Sequence, residues 1–172
     1  MDGSGMDSHS SSWLRWGATV GGLGLLMLFV MLSPAPIRAA GPFDYHPVTP
    51  CRVIDTRQTS SQTNGQPLVS PGPYAFRVQG FCNIPNGAAA VTLNATVVSP
   101  SGLGDLRLFP VGAGAPLVST LNYPGGIGAL ANGATVPLAA VRQVTDKDLD
   151  VLIGATQSIT VHLLLDVTGY FQ

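Results

Sequence analysis

The sequence is poor in charge, in aromatic rings and in sulfur, and each shortage excludes something. Charged residues make up 10% of the 172 residues, the formal net charge is −1, and Lys147 is the single lysine. No run of basic residues occurs, so a nucleic-acid partner, which needs clustered cations against its phosphates, is not expected. Disordered chains are polar and highly charged, whereas 45% hydrophobic content with so few charges calls for a packed core. Helical periodicity is missing too: Gly 21 and Pro 14 break the chain into short apolar runs and argue against a bundle. Aromatic residues are 7% of the total, and both tryptophans, Trp13 and Trp16, fall in the first forty residues.

Those forty residues form a separate object. A polar start (Met1 to Ser12) is followed by Trp13-Leu14-Arg15-Trp16 and then sixteen uninterrupted apolar residues, Gly17 to Leu32. Ser33-Pro34-Ala35-Pro36 stops the run before Ile37-Arg38-Ala39-Ala40. The order of weakly basic start, apolar stretch and small residues is that of a secretory signal, residues 1–39, cleaved after Ala39 or Ala40. A retained anchor is the other reading, since Asp2 and Asp7 weaken the basic start. Sixteen residues fall short of the ~20 that span a bilayer, which favours the signal. Membrane association is expected only through an uncleaved segment. The protein is then secreted, extracellular or held at the cell surface.

In an exported chain the two cysteines, Cys51 and Cys82, are expected to form one disulfide. Neither sits in a CxxC pair or beside a histidine, so no metal–thiolate or redox site is expected. The loop they close, of about thirty residues, corresponds to roughly 3–4 kcal/mol on the chain-entropy model.

Residues 40–172 read as short alternating strands. Tyr74, Phe76 and Val78 share a face, as do Val91, Leu93, Ala95 and Val97, then Leu106 and Leu108. Leu149, Val151 and Ile153 alternate next, and Val161, Leu163, Leu165 and Val167 give the last strand its inner face. His162, Leu164, Asp166 and Thr168 take that strand's other face. Cys51 to Thr56 reads as the first strand after an extended, proline-rich entry, and Gln58 to Ser70 as an exposed loop or hairpin around Asn64-Gly65. The strands at Ala88 to Val98 and Asp105 to Phe109 read as antiparallel neighbours. The expected fold is all-β: one antiparallel sandwich or barrel-like domain of about eight strands after the signal segment.

The chemistry offered is sparse. Asp55 lies between Arg52 and Arg57, a group able to hold a sugar or an ion, or to lock the first strand to a neighbour by charge-assisted hydrogen bonds. On regular strand geometry Asp55 and Arg57 share a face and Arg52 lies opposite. His162 and Asp166 share a face about 13 Å apart, too far for a dyad without a third group. His46, flanked by Tyr45 and Pro47, reads as a surface or packing residue. Asp146, Asp148 and Asp150 alternate in one polar turn but lack the glycine and terminal glutamate of a calcium loop, so a solvated turn is expected and no metal or cofactor. Gly125 to Gly128 has no following helix to hold a phosphate. Asn94-Ala95-Thr96 matches a glycosylation sequon, read as chance.

Several of these pieces resemble one family. Tyr45 to Arg57 is similar to an opening pattern aromatic-x-Pro-x-x-Pro-x-Arg-x-x-Asp-Thr-Arg, and Asp166 to Phe171 to an ending Asp-Val-x-Gly-Tyr-Phe. Ala90 to Pro100, Gly104 to Pro110, Ser119 to Asn122 and Ala131-Asn132 resemble its intervening strands. The family comprises secreted bacterial β-domains without an established activity or ligand, so the resemblance implies location and fold.

The leading functional expectation is a secreted, non-catalytic β-domain with an extracellular structural or adhesive role, its partners cell-wall polysaccharide or copies of itself. A carbohydrate- or cell-wall-binding module is the alternative, using Tyr45, Tyr74, Tyr123 or Phe109 as a sugar platform. A hydrolase built on His162 and an acid is a third reading. The residues singled out are the disulfide pair Cys51 and Cys82, the clasp Arg52, Asp55 and Arg57, and the polar pair His162 and Asp166.

Overall fold

A computed structural model describes residues 41–140 and 146–172; the signal segment and its cleavage site lie outside these. The described residues form two antiparallel sheets packed as a β-sandwich. In chain order the strands are β1 (Tyr45–Asp55), β2 (Leu68–Val69), β3 (Gly72–Phe76), β4 (Ala90–Val98), β5 (Gly104–Pro110), β6 (Leu121–Tyr123), β7 (Ala129–Pro137), β8 (Leu149–Gly154) and β9 (Thr160–Phe171). The first sheet runs β1-β9-β4-β7, with β2 also on β9, and the second runs β3-β8-β5-β6.

Period-two alternation decides what enters the core. Val91, Ala95, Val97, Val161, Leu163, Leu165 and Val167 of the first sheet are fully buried, as are Leu106, Leu149, Val151 and Ile153 of the second. Ile54, Phe76, Val78 and Ile84 close the core between them.

Three local expectations need correction. The first strand starts at Tyr45 and runs through Pro47 and Pro50. It tolerates them because β1 is an edge, where a missing N–H points away from the ladder. Second, β4 and β5 do not pair: β4 lies between β9 and β7, whereas β5 lies between β8 and β6. The loop between them carries the chain from one sheet to the other, and alternation cannot report that, because it marks the inward face without saying which sheet owns it. Third, the ladder between β1 and β9 slips between Arg52 and Ile54, so Arg52 opposes Asp166 and Asp55 opposes Leu164. The extra residue, Val53, shifts the phase and puts Arg52 on the same outer face as Asp55.

The last strand is the centre of the first sheet, with β1 on one side and β4 on the other. The Cys51–Cys82 disulfide ties β1 to the turn after β3, with Cα atoms 5.7 Å apart and a sequence separation of 31. Below them, Gln79 is fully buried, receives the Gly87 amide on its carbonyl and donates its own amide to the Ala139 carbonyl. That segment is anchored by chemistry as well as by packing. Replacing both cysteines by alanine is expected to remove about 3–4 kcal/mol, read as a lower denaturant midpoint in equilibrium unfolding with a steeper slope, because the uncrosslinked unfolded chain exposes more surface.

Candidate functional site

The polar groups gather on the outer face of the first sheet, where β1, β9 and β4 lie side by side. Arg52 of β1 reaches straight across to Asp166 of β9 in a two-pronged bond, Nε to Oδ1 at 2.7 Å and Nη2 to Oδ2 at 2.9 Å. Its remaining Nη1 points at Asp55 Oδ2, 3.5 Å away. Arg57 folds back on the same carboxylate, with Nε 2.9 Å from Oδ1 and Nη2 2.7 Å from Oδ2, while its backbone N–H adds a 3.0 Å bond. The four side chains make one chain of charge: Arg57, Asp55, Arg52, Asp166.

Sequence reasoning placed Arg52 on the face opposite Asp55 and Arg57, with Asp55 and one arginine locking the first strand to a neighbour. The bulge at Val53 reverses this. Arg52 spans the strands, and Asp55 is held by arginines of its own segment. The acid's environment follows. The Arg57 hydrogen bonds hold the Asp55 carboxyl at about 2, against an ordinary 3.8, outweighing the partial burial that would raise it.

His162 and Asp166 share the outer face of β9, yet they serve different bonds. His162 Nδ1 lies 3.1 Å from Thr56 Oγ1, and the same buried hydroxyl accepts the Leu163 amide at 2.9 Å. Asp166 is committed to Arg52. The imidazole and the carboxylate are therefore separate fasteners between β1 and β9, with no hydrogen bond running from one to the other.

At the far end of the same pair of strands, Tyr45 lies over Gly169. A Cβ built on Gly169 would enter the Tyr45 ring, so the glycine makes room for it. Tyr45 Oη sits 3.3 Å from Thr92 Oγ1, and Thr92 in turn sits 3.1 Å from Thr168 Oγ1. His46 stacks on Tyr170, with ring centroids 4.9 Å apart. The opening aromatic and the closing Gly-Tyr-Phe are thus two halves of one contact.

The proposed aromatic platform does not assemble. Tyr123 and Phe109 are buried, at 1% and 7% exposure. Burial, followed by the nearby Asp105 charge, pushes the Tyr123 phenol up to about 12. Tyr45 covers Gly169 and keeps 47% of its surface exposed. Tyr74 borders an open space, with its hydroxyl fixed between the Val69 amide (2.7 Å) and carbonyl (3.0 Å).

That space is a cleft of about 600 Å³ between the 58–68 loop and β3. Leu68 and Phe76 contribute apolar wall, Tyr74 an aromatic one, and Ser61, Gln62, Asn64 and Gln66 hydroxyl and amide groups, with no charged residue lining it. The loop keeps its shape through its own bonds: Gln62 to the Arg77 backbone in both directions, and Ser60 to Thr63. Reading residues 58–70 as an exposed loop missed this cleft. The available signal was a long uncharged run of Ser, Thr, Gln and Asn just before an aromatic strand.

The solvated turn expected at Asp146, Asp148 and Asp150 needs correction at Asp148, which is fully buried and accepts the Val78 and Gln79 amides, each at 2.8 Å. Burial raises its pKa against the opposing pull of those amides. It binds β8 to the segment after β3, apart from the outer-face position of Asp150, which lies opposite Ala75 and Phe109 in the ladder. Comparison with protein-family models, with curated proteins and with solved structures finds no match.

Two predictions arise from this face. Folding lowers the Asp55 pKa, so the stability it contributes is complete above 3.8 and is lost as the pH falls towards about 2. Asp55→Asn should therefore flatten the acid limb of a thermal-unfolding profile relative to wild type; Asp148, shifted the opposite way, is common to both proteins and cancels in the difference. Separately, Gly169→Ala should displace the Tyr45 ring at a cost of about 1 kcal/mol, and the same change in a Tyr45→Ala background should cost almost nothing. A double-mutant cycle in urea measures this coupling.

Proposed function

We propose that this chain is a secreted, non-catalytic β-domain with an extracellular structural or adhesive role. The observation that carries the reading is how the reactive side chains are employed. The acids and arginines of the outer face are bonded to one another and His162 to the Thr56 hydroxyl, and each bond joins β1 or the residue after it to β9 or holds the end of β1 in shape. A catalytic acid or base needs a hydrogen-bonding position left open to substrate. Here Asp166 gives both oxygens to Arg52, and Asp55 gives both of its own to Arg57.

Export is supported by three features: the order of polar start, apolar run and small residues in the first forty positions, the resemblance to secreted bacterial β-domains, and the disulfide, which is compatible with an oxidising compartment. A low charge and a mesh of backbone-directed side-chain bonds suit a domain that must persist outside the cell.

One observation favours a second reading, a carbohydrate- or cell-wall-binding module. The cleft beside Tyr74 joins apolar walls to uncharged hydroxyl and amide groups, the mixture a neutral sugar presents in complement. The two readings separate in a sedimentation assay of the protein on purified cell-wall and polysaccharide fractions. The structural or adhesive role predicts retention on whole cell wall that Asp55→Ala leaves intact in folded protein, with no saturable binding to purified polysaccharide. A saturable polysaccharide isotherm abolished by Gln66→Ala combined with Tyr74→Ala, again in folded protein, replaces it with the module. Release of reducing sugar from any fraction overturns both.

A further inference from the structure

A sheet that ends in an open strand leaves a row of backbone donors and acceptors without partners, and folded proteins guard such edges. The two sheets have four ends, β1, β7, β3 and β6. β1 is interrupted by Pro47 and Pro50, carries Arg52, and is tethered beside the 80–84 turn by the disulfide. β3 contains Pro73 and is preceded by Pro71, and β6 is three residues long and stops at Pro124. These are the usual devices: proline, charge, shortness and cover.

β7 is neither short nor charged and has no proline inside it, and the cover it has is the side-chain bond from Asn132 to the segment at Thr120. It is nine residues, Ala-Leu-Ala-Asn-Gly-Ala-Thr-Val-Pro, without a charge and with its proline only at the last position. Its ladder is formed with β4 alone, one register unbroken from Ala129 to Pro137. Ala129 to Gly133 and Thr135 are exposed. The same margin of the sandwich also shows apolar side chains to solvent: Leu130 is 37% exposed, Leu117 97% and Val118 75%. Asn132 donates to the Thr120 carbonyl at 2.7 Å, which holds the segment carrying Leu117 and Val118 against the strand. A straight, uncharged edge flanked by exposed leucine and valine is a surface built to be covered.

We infer that β7 pairs antiparallel with β7 of a second copy, across a two-fold axis at Gly133. The occupant is fixed by self-complementarity. Pairing a strand with itself sets every residue against its mirror position, so any charge near the centre would repel its own copy, and β7 has none. About Gly133, Ala131 opposes Thr135 and Ala129 opposes Pro137 of the partner, small side chains that let the backbones reach ladder distance. The two first sheets then join into one continuous sheet along the path β1-β9-β4-β7 and its reverse. Among the described residues each copy has a single such edge, so the assembly closes as a dimer and does not propagate. The inference rests on the sheet geometry and is independent of whether the cleft beside Tyr74 holds a sugar.

The test is hydrogen–deuterium exchange of the β7 amides in the full chain, at two concentrations, with Gly133 as the lever. A Cβ on Gly133 meets nothing within 4 Å, so a side chain there leaves the monomer intact. In wild-type protein the exchange of residues 129–137 is expected to slow about tenfold between roughly 5 µM and 500 µM. Gly133→Lys puts two like charges at the axis and should abolish the slowing, and an equimolar mixture of Gly133→Lys and Gly133→Glu should restore it. Exchange in β7 that ignores concentration, or slowing that survives Gly133→Lys, overturns the inference. Cell-wall retention unchanged in Gly133→Lys shows that the adhesive role stands apart from the dimer.

Discussion

Everything in the first sheet depends on one long-range insertion: the last strand lies between the first strand and β4. Arg52 and Asp166 are 114 residues apart in sequence, and Thr56 and Leu163 are 107 apart. Contacts at that separation repay the closure entropy only when several form together. The seam between β1 and β9 is accordingly fastened along its whole length. Asp44 and Gln172 exchange backbone bonds at one end, Tyr45 covers Gly169 beside them, Arg52 grips Asp166 in the middle, and Thr56 bridges His162 and Leu163 at the other end. The disulfide works from outside this seam, holding the free side of β1 to the turn that follows β3.

The few charges of the chain are used in a repeated device. In Asp55–Arg57 on the first sheet and Asp105–Arg107 on the second, an arginine two residues after an aspartate folds back to pair with it. Asp105 and Arg107 share a face of β5, whereas Arg57 is brought back to Asp55 by the turn that ends β1, its backbone N–H on the same carboxylate; either way the pair is local and costs little further ordering. Each arginine then has donors to spare for a second partner from elsewhere: Arg107 gives one to the Pro116 carbonyl. At Asp55 the second partner arrives as Arg52, which adds the cross-strand link. Exposed ion pairs contribute little singly, so the value of these lies in fixing register and orientation on a sheet whose outer face is otherwise small and neutral.

How much of this was legible in the sequence depended on whether the deciding contact was local. Alternation at Val91 to Val97, Leu149 to Ile153 and Val161 to Val167 named the buried residues, because a strand's two faces are set by the chain itself. The acid between two arginines was legible as a fastening, and Asp166 stood on the correct face of the last strand to receive one. The phase of Arg52 was not legible, since a single extra residue at Val53 inverts it and nothing local marks the bulge. Nor was the sheet to which β5 belongs, because a loop of that length either turns a hairpin or crosses the sandwich. The cleft needed a further step still: the 58–68 loop has to fold back so that Gln62 reaches the Arg77 backbone, a contact between segments that no periodicity relates.

The sparing use of charge has a consequence at the margins of the sheets. Charges spent on the outer faces are unavailable to guard edges, and the chain relies on proline for that task instead. Proline works at β1, β3 and β6 because those strands are short, irregular or covalently tethered, and can lose ladder donors without losing their place. β7 differs from them: it pairs with β4 over nine residues without a slip and holds its proline at the last position only. The strand with this long regular ladder at a sheet end is the one left open. Small uncharged residues along it, and a glycine at its middle with open space where a Cβ would stand, are the composition that leaves room for another strand.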